Sequence, residues 1–146
     1  MADSIIPQEK EAYAYSKAQT DALIAQSTAT TTTGTYRSNS AGGHGAASSN
    51  IVVKQYGNVV SIQGFINNIG AIDPTSATQR VLGTISDVKM PPTDIRTVAK
   101  IATTAYSNGD FVYCSLAPEN GNISVTPLST IPAGRSVTIS ITYVAD

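Results

Sequence analysis

The sequence predicts a mainly β protein, in which an antiparallel β-sandwich or jelly-roll head over residues 51–146 follows an N-terminal helix and a Ser/Thr/Gly linker. Two observations carry this prediction. The last strand-like run, Ser136 to Tyr143, alternates polar and apolar residues throughout, which is typical of a half-buried antiparallel strand. Other apolar runs precede it at short intervals and are separated by turn-forming residues, as in all-β domains.

A helix is predicted within residues 1–26. Pro7 suits the first position of a helix, and residues 8–26 are rich in helix-forming side chains. Tyr15, Ala18, Ala22 and Ala25 recur along it at intervals of three and four residues and form a stripe of small and apolar side chains. Leu23 lies at the flank of this stripe. This stripe is either the seam of a three-stranded bundle or the face of a helix that packs on its own head or on a neighbouring protein.

Residues 27–50 have the composition of a linker. Ser, Thr, Gly, Ala or Asn occupy 21 of the 24 positions. The segment therefore has too few apolar groups to offset the entropy of ordering the chain. The sole histidine, His44, lies between two glycines, and no second histidine exists to complete a metal site. We therefore predict no metal ion in this segment.

The head begins with two predicted strands, Ile51–Tyr56 and Val59–Ile66, around Gly57-Asn58, a dipeptide that suits a two-residue hairpin turn. The pair Pro91-Pro92 interrupts regular structure, since proline cannot donate a hydrogen bond within a sheet. The remaining strands are predicted at Arg80–Ser86, Ile95–Ala102, Asp110–Ala117, Asn122–Pro127 and Ser136–Tyr143, with turns at residues 107–110 and 118–121.

Charge and cysteine content exclude several classes of function. The chain has a formal net charge of −1, and its head carries six acids and six bases, so no basic track for nucleic acid is present. Cys114 is the only cysteine, which rules out an intrachain disulfide and predicts a small buried residue. No stretch has the pattern of a signal peptide or the length of a membrane span, so we expect synthesis in a cytosol and no membrane insertion.

The sequence offers no catalytic constellation. A lone histidine makes a nucleophile–base pair improbable, and the carboxylates of the head fall in no motif such as Asp-x-Asp. We therefore expect no enzyme, no cofactor and no metal. Six polar and aromatic residues in or beside the turns have the chemistry that binds sugars: Tyr106, Asn108, Asp110, Tyr113, Asn120 and Asn122. The alternative is structural, since hairpin turns need the same amides and carboxylates, and a tyrosine such as Tyr113 is more often part of a core.

Several segments of the head follow one another in a recognisable order. They are the proline-marked entry Met90–Arg96, the turn Ser107–Asp110, the strand Phe111–Leu116, the run Glu119–Val125 and the closing run Ser140–Tyr143. In this order the head resembles the C-terminal head domains of bacteriophage tail fibres and receptor-binding proteins. The run Tyr15–Ile24 is also similar to a phrase frequent in phage fibre proteins, so the resemblance covers about half of the chain.

The resemblance implies a virion protein that is assembled in the cytoplasm of the host bacterium. In that family three copies wind their N-terminal parts together and set three β-sandwiches around a threefold axis. It therefore implies a homotrimer that contacts other virion proteins through residues 1–50 and a saccharide or protein of the host surface through the head. The main alternative is a capsid head fibre or decoration protein with a structural role, and a saccharide-cleaving tailspike is a distant third.

Overall fold

The computed structural model describes residues 16–27, 30–39, 48–73, 80–104 and 107–146. The chain divides into two compact units, Met1–Thr30 and Thr31–Asp146. The first contains the helix α1, Lys17–Ser27, and the second contains a β-sheet. No helix in the described ranges has the length and apolar character needed to span a membrane.

A capping box begins helix α1. The backbone N–H of Gln19 donates to Ser16 Oγ at 3.1 Å, and the backbone N–H of Ser16 donates to Gln19 Oε1 at 2.9 Å. This reciprocal pair satisfies two donors that have no partner within the helix. Lys17 and Asp21 form an ion pair of 2.9 Å one turn apart, which contributes little because both side chains are exposed.

The predicted seam falls partly on this helix. Ala18 and Ala22 are exposed on α1, and Leu23 and Ala25 lie within its bounds. Tyr15 and the predicted helix start at Pro7 lie outside the described residues. Self-association or anchoring through this stripe stays a prediction.

The second unit is a nine-stranded antiparallel sheet in the described residues. Its strands pair in the order β1-β3-β4-β9-β6-β7-β8-β5-β2. Their bounds are β1 Thr31–Thr33, β2 Thr35–Ser38, β3 Ser48–Tyr56, β4 Val59–Ile69, β5 Arg80–Ser86, β6 Ile95–Ala102, β7 Gly109–Leu116, β8 Asn122–Thr126 and β9 Arg135–Val144. The prediction of a mainly β, antiparallel head is confirmed.

The sheet has two halves, β1-β3-β4-β9 and β6-β7-β8-β5-β2. They are joined between β9 and β6 by three residue pairs, from Lys100↔Thr138 to Ala102↔Ser136. Side chains of both halves meet in one core, for example Ile62, Ile66 and Ile139 from the first half and Leu82, Leu116, Ile123 and Val125 from the second. This is the layering of a sandwich whose sheet is almost closed.

One extended segment closes the sheet on its other side. β1 pairs with β3, and β2 pairs with β5 at the opposite edge of the sheet. Between them Gly34 donates its N–H to Val53 O at 2.9 Å. A Cβ on Gly34 would lie 2.7 Å from a methyl carbon of Val53 and 2.7 Å from one of Val88, so the crossing requires glycine at this position.

This closure corrects the linker prediction for part of residues 27–50. Residues 31–38 form β1 and β2, and β3 begins at Ser48, whereas residues 40–47, with His44, lie outside the described residues. The threonines of the segment favour strands because their Cβ is branched. Tyr36 packs against the core and donates its hydroxyl to Leu82 O at 3.1 Å, so the segment has an apolar anchor as well.

The predicted alternation and hairpin are confirmed. Val137, Ile139, Ile141 and Tyr143 are at most 5% exposed, whereas Ser140 and Thr142 are exposed. At the start of the strand the polar side differs from the prediction, because Thr138 is half-buried and Ser136 is buried, where its hydroxyl donates to Asn67 Oδ1 at 2.8 Å. Gly57 adopts a φ of 60° in the two-residue turn that joins β3 to β4, as a type II′ turn requires at its first position. β4 runs to Ile69, three residues beyond the predicted end, through an irregularity after Ile66.

Three buried acidic groups make the fold sensitive to alkaline pH. Burial raises the pKa of the Cys114 thiol from 9.0 to about 12 and the pKa of the Tyr36 and Tyr143 hydroxyls from 10.0 to about 12. Because the unfolded chain releases all three protons at lower pH, this contribution to stability is complete below pH 9.0 and is lost as the pH rises towards about 12. We expect the urea concentration at the midpoint of unfolding to decrease as the pH is raised from about 8 to about 11.

Tyr143→Phe is the matched variant for this prediction. The hydroxyl of Tyr143 donates to Lys89 O at 2.7 Å, so its removal is expected to cost about 1 kcal/mol at neutral pH. The variant should then lose less stability than the natural chain over the alkaline range, because one titrating group is gone. An equal loss in both proteins would contradict the assignment to Tyr143.

Candidate functional site

The structure does not bring the six predicted glycan-contacting residues to one place. Asn108 and Asp110 lie at the start of β7, Tyr113 lies near its middle, and Asn120 and Asn122 lie beyond its other end. A strand of eight residues spans about 25 Å, so the two ends cannot contact one small ligand. Tyr106 lies outside the described residues.

Asn120 and Asn122 have structural roles in the turn between β7 and β8. The Asn120 side-chain oxygen accepts the backbone N–H of Asn122 at 3.0 Å, and the Asn122 side-chain oxygen accepts the Thr84 hydroxyl at 2.9 Å. Gly121 between them adopts a φ of 69°. These amides hold the turn and its contact with β5, which is the ordinary use of asparagine in turns.

Asn108 and Asp110 line a cavity of about 260 Å³, which we call the β6–β7 cavity. The end of β6, the start of β7 and the connection from β8 to β9 form its wall. Its lining residues are Ile101, Ala102, Thr103, Asn108, Gly109, Asp110, Phe111, Val112, Pro127, Leu128, Ser129, Thr130, Ile131, Pro132 and Arg135. Two of the predicted residues, Asn108 and Asp110, thus share this lining with the largely exposed Phe111.

The sequence around residues 101–110 determines the shape of this wall. A Cβ on Gly109 would fall onto the carbonyl oxygen of Ile101, so glycine lets the start of β7 lie close against the end of β6. Before it, Ser107 Oγ accepts the N–H of Thr104 at 3.0 Å and donates to the carbonyl of the same residue at 3.0 Å. Lys100 Nζ donates to Ser107 O at 3.2 Å. These contacts hold the chain directly before Asn108.

Two largely exposed apolar side chains line the β6–β7 cavity. Phe111 is 70% exposed and Leu128 is 76% exposed. Leaving such groups in water is unfavourable, so they favour a ligand that covers apolar surface. Asp110 adds a carboxylate acceptor, Arg135 a guanidinium donor and Asn108 an amide that can do both. This set can bind a polar ligand that has one apolar face.

Tyr113 lies on the same outer face of β7 as Phe111 but lines a different groove. It is 57% exposed on the outer side of β7, opposite Val98 on β6 and Thr126 on β8. A groove runs over this surface, and Arg96 and Ser115 also line it. Tyr113 is therefore not a core residue.

Cys114, directly after Tyr113, is buried as predicted. Because burial raises the pKa of its thiol to about 12, the thiol is protonated at neutral pH and is no nucleophile. Within the described ranges, no three His, Cys, Asp or Glu side chains lie close enough to hold a metal ion.

The sequence-based selection missed Phe111, Leu128 and Arg135. A signal for Phe111 existed, because Val112, Cys114 and Leu116 alternate inward along β7 and leave Phe111 and Tyr113 on the outside. No local pattern marks Leu128 or Arg135. They reach the cavity only because β9 returns beside β6.

Comparison with known proteins gives a likeness at the level of the fold. No protein-family model matches the chain, and no curated protein matches it. Among solved structures, the chain is similar to the head domain of phage bIL170, described in connection with the receptor-binding domains of lactococcal phages. The two share 10% sequence identity at a TM-score of 0.54, over 69% of this chain and 88% of that one. The resemblance to phage receptor-binding heads is thereby confirmed for the fold.

Proposed function

We propose that this chain is a bacteriophage virion protein whose β head attaches the particle to the host cell surface by binding a saccharide in the β6–β7 cavity. The similar fold of a phage head domain supports the first part of this proposal. The second part rests on one observation. The residues that line the cavity include Phe111, whose side chain is 70% exposed, together with Asp110 and Asn108.

The chemistry of a pyranose matches this arrangement. One side of the sugar ring carries C–H groups that pack on an aromatic face, and its hydroxyls bond to carboxylates and amides around the rim. The cavity of about 260 Å³ is near the lower end of the range for small-ligand pockets, so it suits one or two sugar units. Each such site is weak by itself.

Three copies of the chain would compensate for weak single sites. We propose a homotrimer, in which binding of one head raises the effective concentration of ligand at the other two. The exposed Ala18 and Ala22 on α1 are compatible with a helical seam between copies. In this proposal the N-terminal unit, Met1–Thr30, joins the assembly to other virion proteins.

The first test is binding of the labelled full chain to cells of candidate host bacteria, with its molar mass measured in the same preparation. Saturable binding by a trimer, reduced by polysaccharide purified from the same cells, supports the proposal. No release of reducing ends is expected during the incubation, because we propose a binding protein and no hydrolase. A trimer that ignores cells known to be infected would overturn the attachment role and favour a structural protein of the capsid.

A further inference from the structure

The two outer faces of the sheet differ in charge. We call the outer face of β1-β3-β4-β9 the uncharged face. Pairing aligns Thr31, Tyr56, Val59 and Val144 in one row across its four strands. The next rows contain Ser, Thr, Asn, Gln, Val and Phe, and the only charged residue among the described members of these rows is Lys54. Its ammonium group donates to Thr33 Oγ1 at 2.7 Å.

The outer face of the other half carries several cations. Arg96 and Lys100 extend from β6, where they lie opposite Ser115 and Phe111 of β7. Arg37 is exposed on β2. Charged side chains of this kind keep a sheet surface soluble and discourage association between sheets. The uncharged face lacks that protection over most of its described residues.

Apolar side chains are exposed on both outer faces, with Val98, Phe111 and Tyr113 on the other half, but in the described rows of the uncharged face Lys54 is the only charged residue that accompanies them. Tyr56 is 51% exposed, Val59 41% and Val144 65%, and Val52 on the same side of β3 is 48% exposed. Val59 lies opposite both Tyr56 and Val144, so the three form a continuous patch. Depletion of charge together with exposed tyrosine and aliphatic groups is the composition of the centre of a protein–protein interface.

We propose that a second copy of this chain covers the uncharged face, so that the heads of the assembly turn this face towards one another. The number of copies in this inference rests on the proposed trimer. The choice of surface rests on the distribution of charged and exposed apolar side chains. The three long strands, with 9, 11 and 10 residues, give the face a length of about 30 Å. At about 4.8 Å per strand its projected area is about 500 Å², of the same order as the roughly 800 Å² that each partner contributes to a standard interface.

Tyr56 and Tyr113 provide an internal comparison for the test. Both rings are about half exposed in the single chain, at 51% and 57%, but they lie on opposite halves of the sheet. We expect hydroxyl-radical oxidation of the assembled full chain, read by mass spectrometry, to modify Tyr56 at least about fivefold more slowly than Tyr113. Equal rates in the assembled protein would overturn the proposal.

A charge placed in the face gives the second measurement. Val144→Lys introduces an ammonium group at a position that is 65% exposed, and Val98→Lys does the same at a position that is 50% exposed on β6. Light scattering over a dilution series should show the concentration of half-dissociation rising at least about tenfold for V144K and remaining unchanged for V98K. Equal shifts for the two variants, or a natural chain that is monomeric at every concentration, would overturn the interface.

These outcomes do not depend on the host ligand. An assembly that shows protection of Tyr56 but ignores bacterial cells would support the interface and overturn the attachment role. An assembly that binds cells while Tyr56 and Tyr113 react equally would support the attachment role and overturn the interface.

Discussion

Phe111→Ala is expected to lower the affinity of each head for its saccharide at least about tenfold, which corresponds to about 1.4 kcal/mol. Phe111 is the aromatic ring of the β6–β7 cavity, and at 70% exposure it contributes little to the core. Its removal should therefore leave the free energy of unfolding within about 0.5 kcal/mol of the natural value. Calorimetric titration with an oligosaccharide from the host surface, together with urea unfolding, would measure both quantities.

Tyr113→Ala is the control for this prediction. Tyr113 lies two residues further along β7, also faces outward and is 57% exposed, but it lines the other groove. It should retain the natural affinity. Loss of binding in Tyr113→Ala with retention in Phe111→Ala would move the saccharide site from the cavity to the groove over β6 and β7.

In an assembled particle the effect of Phe111→Ala should be larger than in a single head. Multivalent attachment multiplies the loss at each site, because every rebinding step depends on the weakened contact. Cell binding by the full chain should thus fall more steeply than the affinity for a monovalent oligosaccharide. The ratio of the two losses would also report how many heads bind at once.

The strands of the head were predictable because their signal is local. In β9 each apolar residue is two positions from the next, and the core accepts all of them, from Val137 to Tyr143. Turns such as Gly57-Asn58 were predictable for the same reason, because they depend on the conformations that two residues allow.

The closure of the sheet was not predictable in this way. β1 and β2 carry mostly hydroxyl side chains, and what fixes them is pairing with β3 and β5, which are distant in sequence. Only Tyr36 in this segment gives an apolar clue. A composition rich in Ser, Thr and Gly therefore resembles a linker even where both edges of a sheet hold the segment in place.

The candidate site shows a related limit. Asn108 and Asp110 were selected from turn chemistry and do line the cavity, whereas Asn120 and Asn122 were selected on the same ground and serve their own turn. Residue type cannot separate the two uses, since an amide that holds a turn and an amide that faces a ligand look alike in sequence. Their surroundings in the fold separate them.

Gly64→Ala is expected to destabilise the head by about 3 kcal/mol or more, a large part of the 5–15 kcal/mol that stabilises a typical domain. Gly64 lies within β4, where it pairs with Ile51 on one side and Ile139 on the other, and it adopts a φ of 141° that L side chains rarely reach. A Cβ there would fall onto the carbonyl oxygen of Asn50, so relief requires the backbone of β3 or β4 to move. Because β4 connects β3 to β9, such a shift would disturb the pairing of three strands.

Gly134→Ala is the comparison for this expected loss. Gly134 also has a positive φ, 84°, but its Cβ would meet nothing closer than the Asn68 side-chain oxygen at 3.7 Å. It should cost about 1 kcal/mol, the conformational penalty alone. Urea unfolding of both variants in the full chain measures the difference, which combines the steric contact with Asn50 and the larger conformational cost of a φ of 141°. Equal losses at the two positions would mean that β3 and β4 separate at little cost near Asn50, and the close approach of these strands would then not be a source of stability for the sheet.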